Sequence, residues 1–396
     1  MSTAALKDAW NLRLVGHSDL GANGDGMHVN VVDGFAYVGH MGHTTAGTSI
    51  LDVRDPTKPR LMLQLPRPPG THTHKVQVVD DVLLVNNERN LWGKEDATTW
   101  TAGLTVYDVT RRAEPRQIAF FDTPGTGVHR MTFWEQPYAY VTASDHGYLD
   151  QFLRILDLSN PARPHEVGRW WFPGQHAAGG ETPTWEPITT VQLSQGQSPR
   201  PGQKRVALHH ALPRGDRAYC GYWDAGLVIL DIADRAHPSL VSHLDFGAEV
   251  SGATHTAFPV PGRDLLVVTD EQLVNVQAKR EVRLVDIAEE RRPRVVGLFP
   301  VPSGDFGPRF GPHNVHEMRP GSLVDPRTIY LTYCSGGLRV YDIADPSRPV
   351  EVAYAVPEAP PGQTAIHLND LTVTPDGLIY VTDRFGGGLY VFERTR

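Results

Sequence analysis

The chain has 396 residues, 40% hydrophobic and 21% charged, the balance of a folded body in water. Its 37 basic and 45 acidic residues leave a net charge of −8 without long runs, which argues against a basic face for nucleic acid. Two cysteines, Cys220 and Cys334, exclude a disulfide framework; the first residues, MSTAALKDAWNLRLV, carry no apolar secretion core, and no stretch is long enough to span a bilayer, so a cytoplasmic location without membrane partners is expected.

Six segments share one pattern: a short apolar run ends in Asp, and a Pro follows seven residues later. In chain order they carry Asp52 and Pro59, Asp108 and Pro115, Asp157 and Pro164, Asp231 and Pro238, Asp286 and Pro293, and Asp342 and Pro349. A seventh run, LYVFERTR, begins the same way with Glu393. One unit recurring every 49 to 74 residues along the whole chain means stacked small sheets in a single all-β body, residues 1–396. Asp at a strand end bonds nearby backbone N–H groups and Pro presets the next turn, so this signature is expected to hold the scaffold and to lie away from any site.

Each unit reads as four strands. The first shows MHVNVV, an Asp33-Gly34 turn, FAYVGH, TSILDV and PRLMLQL, and the DG pair is a hairpin signal. The second runs from THTHKVQVV through VLLVNN and LTVYDV to PRQIAFF, and the third from GVHRMTFW to HEVGRWW. Units four to six open at VALHHAL, GATHTAF and HNVHEMR. The seventh offers only IHLNDLTV, GLIYVTD and GLYVFE, so its missing outer strand is assigned to the N-terminal NLRLVGH, which closes the ring. The expected fold is a seven-bladed β-propeller with four-stranded blades. Residues 173–205, rich in Gly, Pro, Ser and Gln, break the period between blades three and four and are expected to be either a lid or a mobile excursion; shorter insertions occupy 88–102 and 271–280.

Histidine departs from a plain scaffold. Of 18, at least one begins the first strand of every blade: His28, His72 and His74, His129, His209 and His210, His255, His313 and His316, and His367. First strands line a propeller's channel and start at one face, so these imidazoles are expected to converge on the axis. A lone strand histidine is ordinarily a structural hydrogen-bonding group; seven converging ones suit a transition metal. The expected ligands are three or four of His74, His129, His210, His255, His313, His316 and His367, with iron or copper ahead of manganese or zinc. Unequal hairpins leave His28, His72 and His209 one residue out of phase. Second strands return to the same face, where Glu88, Glu271 and His146, with Glu317 on a first strand, are the candidate bases or ring-orienting carboxylates. No phosphate-binding glycine loop, G-x-S-x-G elbow or Cys–His pair in a convincing context competes.

On the VILDIADRAHP and RVYDIADPSRP units, with HTAFPVPGRDLLVVTDE and NDLTVTPDGLIYVTDRFGGGLYVFE, the chain resembles the LVIVD-repeat propeller family along essentially all blades. That family specifies a fold and hardly a reaction. In its axial histidines alone the chain is also similar to carotenoid-cleaving oxygenases and the selenium-binding or methanethiol-oxidase group, which hold iron or copper on a propeller axis. The reading is a mononuclear metalloenzyme with oxidative chemistry on a small organic substrate stacked on Trp171, Trp185 or Trp223. Two alternatives stay open: a metal-assisted lyase or hydrolase using Glu317 or His146 as base, and a non-catalytic scaffold for protein partners.

Overall fold

The computed structural model describes residues 4–93, 98–247, 253–271 and 281–396. The insertion foreseen at 271–280 therefore lies, beyond Glu271, outside the described residues. Strands alternate with tight turns in seven successive antiparallel sheets, each hydrogen-bonded in sequence order from the axis outward. Blade one is Gly26–Val32, Phe35–His40, Ala46–Asp52 and Arg60–Pro66; blade four is Leu208–Arg214, Arg217–Tyr222, Gly226–Asp231 and Ser239–Leu244. The strands read as apolar runs because both faces of every blade pack on neighbours. Leu153, Ile155, Leu208 and Val228, for example, share one cluster between blades three and four.

The Asp signature is an Asx turn in all six copies. Asp52, Asp108, Asp157, Asp231, Asp286 and Asp342 each accept the N–H two residues on, at 2.6 to 3.2 Å. All six blades also carry a register shift between third and fourth strands, just before that turn.

Closure follows the expectation and adds to it. Leu12–Ser18 pairs antiparallel with Gly388–Arg394 as the outer strand of blade seven. Immediately before it, Leu6–Trp10 pairs with Val350–Pro357 at the edge of blade six, so the N-terminal segment ties two neighbouring blades.

The insertion at 173–205 is ordered locally. Glu186–Pro187 pairs with Gln203–Lys204 in parallel, and a helical turn, Thr190–Ser194, is anchored where Asp150 accepts the Thr190 N–H at 2.7 Å. Among the described residues no helix is long and apolar enough to cross a membrane.

Candidate metal centre

A β-bulge repeated around the ring builds the channel. In blade three Val128 pairs with Ala143 and Arg130 with Thr142, leaving His129 extra; the same shift leaves His209 extra in blade four and His255 in blade five. Blades one and seven place Met27 and Asn369 at this position. In blades two and six, backbone bonds Asn86 N to Lys75 O and Thr332 N to Asn314 O align His74 and His313 with it. A bulge lets two successive side chains turn the same way, so each blade sends two neighbours toward the axis instead of one.

The bulged residues form an upper arc of five imidazoles. Ring centroids are 5.1 Å apart from His74 to His129, 5.2 Å to His209, 3.7 Å to His255 and 4.4 Å to His313. The residue after the bulge position in each blade makes a lower layer: His28, Lys75, Arg130, His210, Thr256, Asn314 and Asp370. The expected ligand His210 therefore sits one level below the arc, bonded to Thr132 Oγ1 at 2.9 Å, while its neighbour His209 takes the upper place. His72, also set aside as out of phase, lies 4.0 Å from His74. His28 is in the lower layer, where Arg319 reaches its Nε2 at 3.1 Å.

Four other expected residues, His316, His367, His146 and Glu317, do not join the arc; the His367 ring packs on Phe385, 4.8 Å between centroids. His316 lies deeper, held by the Leu323 carbonyl at 2.8 Å and accepting the Val373 N–H at 3.3 Å. Its work is stapling blades six and seven, as Asn30 and Gln77 staple theirs. His146 is exposed on an outer loop, where its N–H caps Asp145. Glu317 is fully engaged as an ion-pair hub, receiving Arg130 at 2.5 Å and Arg319 at 2.9 Å. Burial raises its pKa, but the two guanidiniums prevail and hold it below the usual carboxylate range, so it is spent as a base. Lys75 and Arg130 in the lower layer, and Arg319 beside it, were not singled out from the sequence.

Among the described residues two groups of donors lie close enough to share an ion: His72, His74 and Glu88, and His255, His313 and Glu271. Their hydrogen bonding separates them. Glu88 Oε2 accepts from His72 Nε2 at 2.7 Å and His129 Nδ1 at 2.8 Å, and Oε1 accepts from Gln151 at 2.9 Å. His74 Nδ1 accepts from Asn86 Nδ2 at 3.1 Å, so its bare nitrogen is already used. Protons fill that group.

The second group is short of protons. His313 Nδ1 donates to the Asn369 carbonyl at 2.6 Å, and burial lowers the ring's pKa to about 4 against the pull of Glu271. At neutral pH its Nε2 is therefore a bare lone pair, facing Glu271 Oε1 at 3.4 Å. His255 Nδ1 bonds Thr256 Oγ1 at 2.8 Å, and its unpartnered Nε2 stands 3.9 Å from Glu271 Oε2. Glu271 also receives Arg309; burial raises its pKa, yet His313 and Arg309 hold it well below the ordinary value. Two acceptors, His313 Nε2 and Glu271 Oε1, converging without a hydrogen between them and with the unpartnered His255 Nε2 nearby, suit a cation. Ligands at about 2.0–2.2 Å from one ion lie roughly 3–3.5 Å apart, so His313 and Glu271 already fit and His255 needs about half an ångström.

Trp223 stands against His209 at 4.8 Å and under the Arg205 guanidinium at 4.3 Å, so the end of the insertion reaches the arc. Trp171 instead donates to Glu181, and Trp185 packs on Phe172.

The LVIVD-repeat model matches residues 23–65, 137–170 and 214–245. No curated protein matches the chain. Among solved structures, a hypothetical selenium-binding protein from Sulfolobus tokodaii is similar at 14% identity over 92% of this chain and 91% of its own, with a TM-score of 0.59. U3-55K matches at 10% identity over 96% and 98%, TM-score 0.59. The β-propeller domain of Myceliophteria thermophila Cps50 (Swd1) matches at 12% over 99% and 100%, TM-score 0.55. At these identities the likeness is one of fold.

Proposed function

We propose, for a chain that carries LVIVD repeats and folds as a seven-bladed propeller, that it is a mononuclear metalloenzyme whose ion is held by His255, His313 and Glu271. The observation that carries this reading is the bare His313 Nε2 facing a carboxylate oxygen at 3.4 Å. Two imidazoles and one carboxylate with open positions are the donor set of non-haem iron oxygenases, and such an ion supplies O₂ activation or polarises a substrate oxygen. An all-imidazole sphere left iron and copper equal; the carboxylate favours iron.

The surrounding residues support oxidative chemistry on a small organic substrate. Trp223 offers an aromatic wall beside the arc, and residues 173–205 cover that side as a lid. His209 donates its Nδ1 proton to the His255 carbonyl at 2.7 Å, which leaves Nε2 as a proton acceptor next to the centre. A lyase or hydrolase loses its proposed bases here, because Glu317 is ion-paired twice and His146 lies on an outer loop.

Elemental analysis of protein purified without a histidine tag tests the reading. About one iron per chain is expected, retained in His74→Ala and lost in His255→Ala and Glu271→Gln, with oxygen uptake on small organic acids, thiols or alcohols. A metal-free protein whose stability ignores chelator overturns it in favour of a binding scaffold.

A further inference from the structure

Next to Glu271 the channel wall carries more positive charge than it can pair. Arg384 follows Asp383 at the end of a second strand and is 6% exposed. Among the described residues its guanidinium has only long polar contacts, 3.4 Å to Asn369 Oδ1 and 3.5 Å to Met41 Sδ, it lies over the Phe385 ring at 5.3 Å, and its Nε has no partner. Asp383 beside it attracts it but is hydrogen-bonded elsewhere: the carboxylate accepts from the backbone N–H groups of His367, Phe385 and Gly387 at 2.5 to 2.8 Å. A second guanidinium, Arg309, is near enough to depress Arg384 electrostatically. With burial as the larger cause, the Arg384 pKa falls to about 9.

Among the described residues Glu271 is the one acid in an ion pair with either arginine, and Arg309 Nε is itself unpartnered. The buried Cys334 thiol beside them is held neutral, its pKa pushed up by burial. His367 adds a third unpartnered nitrogen, Nε2, on a ring only 7% exposed. Asn369 connects this patch to the metal group: its carbonyl accepts His313, and its side-chain oxygen faces Arg384. Burying a guanidinium without a counter-charge is costly, and a site that keeps one has a use for an anion.

We infer that Arg384, Arg309 and His367 form an oxyanion subsite that binds the carboxylate of a small organic acid beside His313 and Glu271. The inference deepens the proposed function by naming the substrate class, and rests on it only for what happens after binding. A planar carboxylate matches the forked donors of arginine and leaves the rest of the molecule toward the metal group.

Titration calorimetry with benzoate, acetate and inorganic phosphate, on protein as purified and after chelator treatment, tests it. Benzoate and acetate are expected to bind in both states, with affinity falling about 10- to 100-fold in Arg384→Gln and less in Arg384→Lys, while the metal content of Arg384→Gln stays at wild type. Arg309→Gln, on a partly exposed side chain, gives a second reading if Arg384→Gln does not fold. Carboxylate binding by protein that holds no metal as purified defeats the metalloenzyme reading and leaves this subsite standing. Carboxylate binding that vanishes with chelator and ignores both substitutions overturns the subsite, as does binding of phosphate alone or of no anion.

Discussion

His313 Nε2 and Glu271 Oε1 face each other across 3.4 Å with no hydrogen between them, because the imidazole proton is held on Nδ1 by the Asn369 carbonyl. Two acceptors at that distance repel unless a cation lies between them. Removing a bound ion should therefore cost stability. With metal at 100 to 1,000 times its dissociation constant, chelation is expected to lower the unfolding free energy by about 3–4 kcal/mol. Glu271→Gln should abolish that sensitivity to chelator, read by thermal unfolding with and without it.

The Glu88 group is expected to behave differently. Its carboxylate accepts from His72, His129 and Gln151, and burial has been overcome by those donors, His129 foremost, so that its pKa lies well below the ordinary value. Glu88→Gln turns one acceptor into an N–H₂ facing donors. The loss should be about 3–5 kcal/mol by denaturant unfolding, with metal content unchanged. Metal lost from Glu88→Gln and kept in Glu271→Gln would exchange the roles of the two groups.

These contrasts show what was legible in the amino acids and what was not. The Asp-to-Pro period gave the blades, the Asx turns and the closing strand, because each is a local rule repeated at fixed spacing. The phase of the histidines was hidden by the bulge. Alternation sends His209 and His210 to opposite faces, yet the extra residue turns both inward and puts His209, not His210, in the upper arc. Aligning blades on the polar residue after the bulge (Lys75, Arg130, Asn314, Asp370) would have found the phase. Attention to histidine alone also passed over Arg319, whose burial follows from tertiary placement.

Acid should destabilise this protein through its buried histidines, above the ordinary carboxylate range. His316 is buried with its pKa lowered to about 4, burial outweighing its bond to the Leu323 carbonyl, whereas unfolded it titrates near 6.5. Between those values the unfolded chain binds more protons, so stability is full above about pH 6.5 and is lost as pH falls toward 4. One such residue contributes about 3 kcal/mol. His28, His209 and His210, also buried and shifted down, steepen the same window. In blade two the stapling position is Gln77, so His316→Gln should keep the Val373 bond and flatten the pH dependence of the melting temperature. An unchanged slope would show that His316 does not titrate across that window.

The N-terminal segment offers a test of closure that is independent of the site. Leu12–Ser18 covers the edge of Gly388–Arg394, and Leu6–Trp10 covers that of Val350–Pro357. Deleting residues 4–18 uncovers both edges at once and removes buried Leu12 from the cluster shared by blades six and seven. Unpaired strand edges template association, so the truncated protein is expected to form aggregates or edge-paired dimers in size-exclusion chromatography. Deleting residues 4–10 alone should be milder, since it strips an added fifth strand while blade seven stays closed. If both truncations remain monomeric with an unchanged melting temperature, the ring does not depend on this segment for closure.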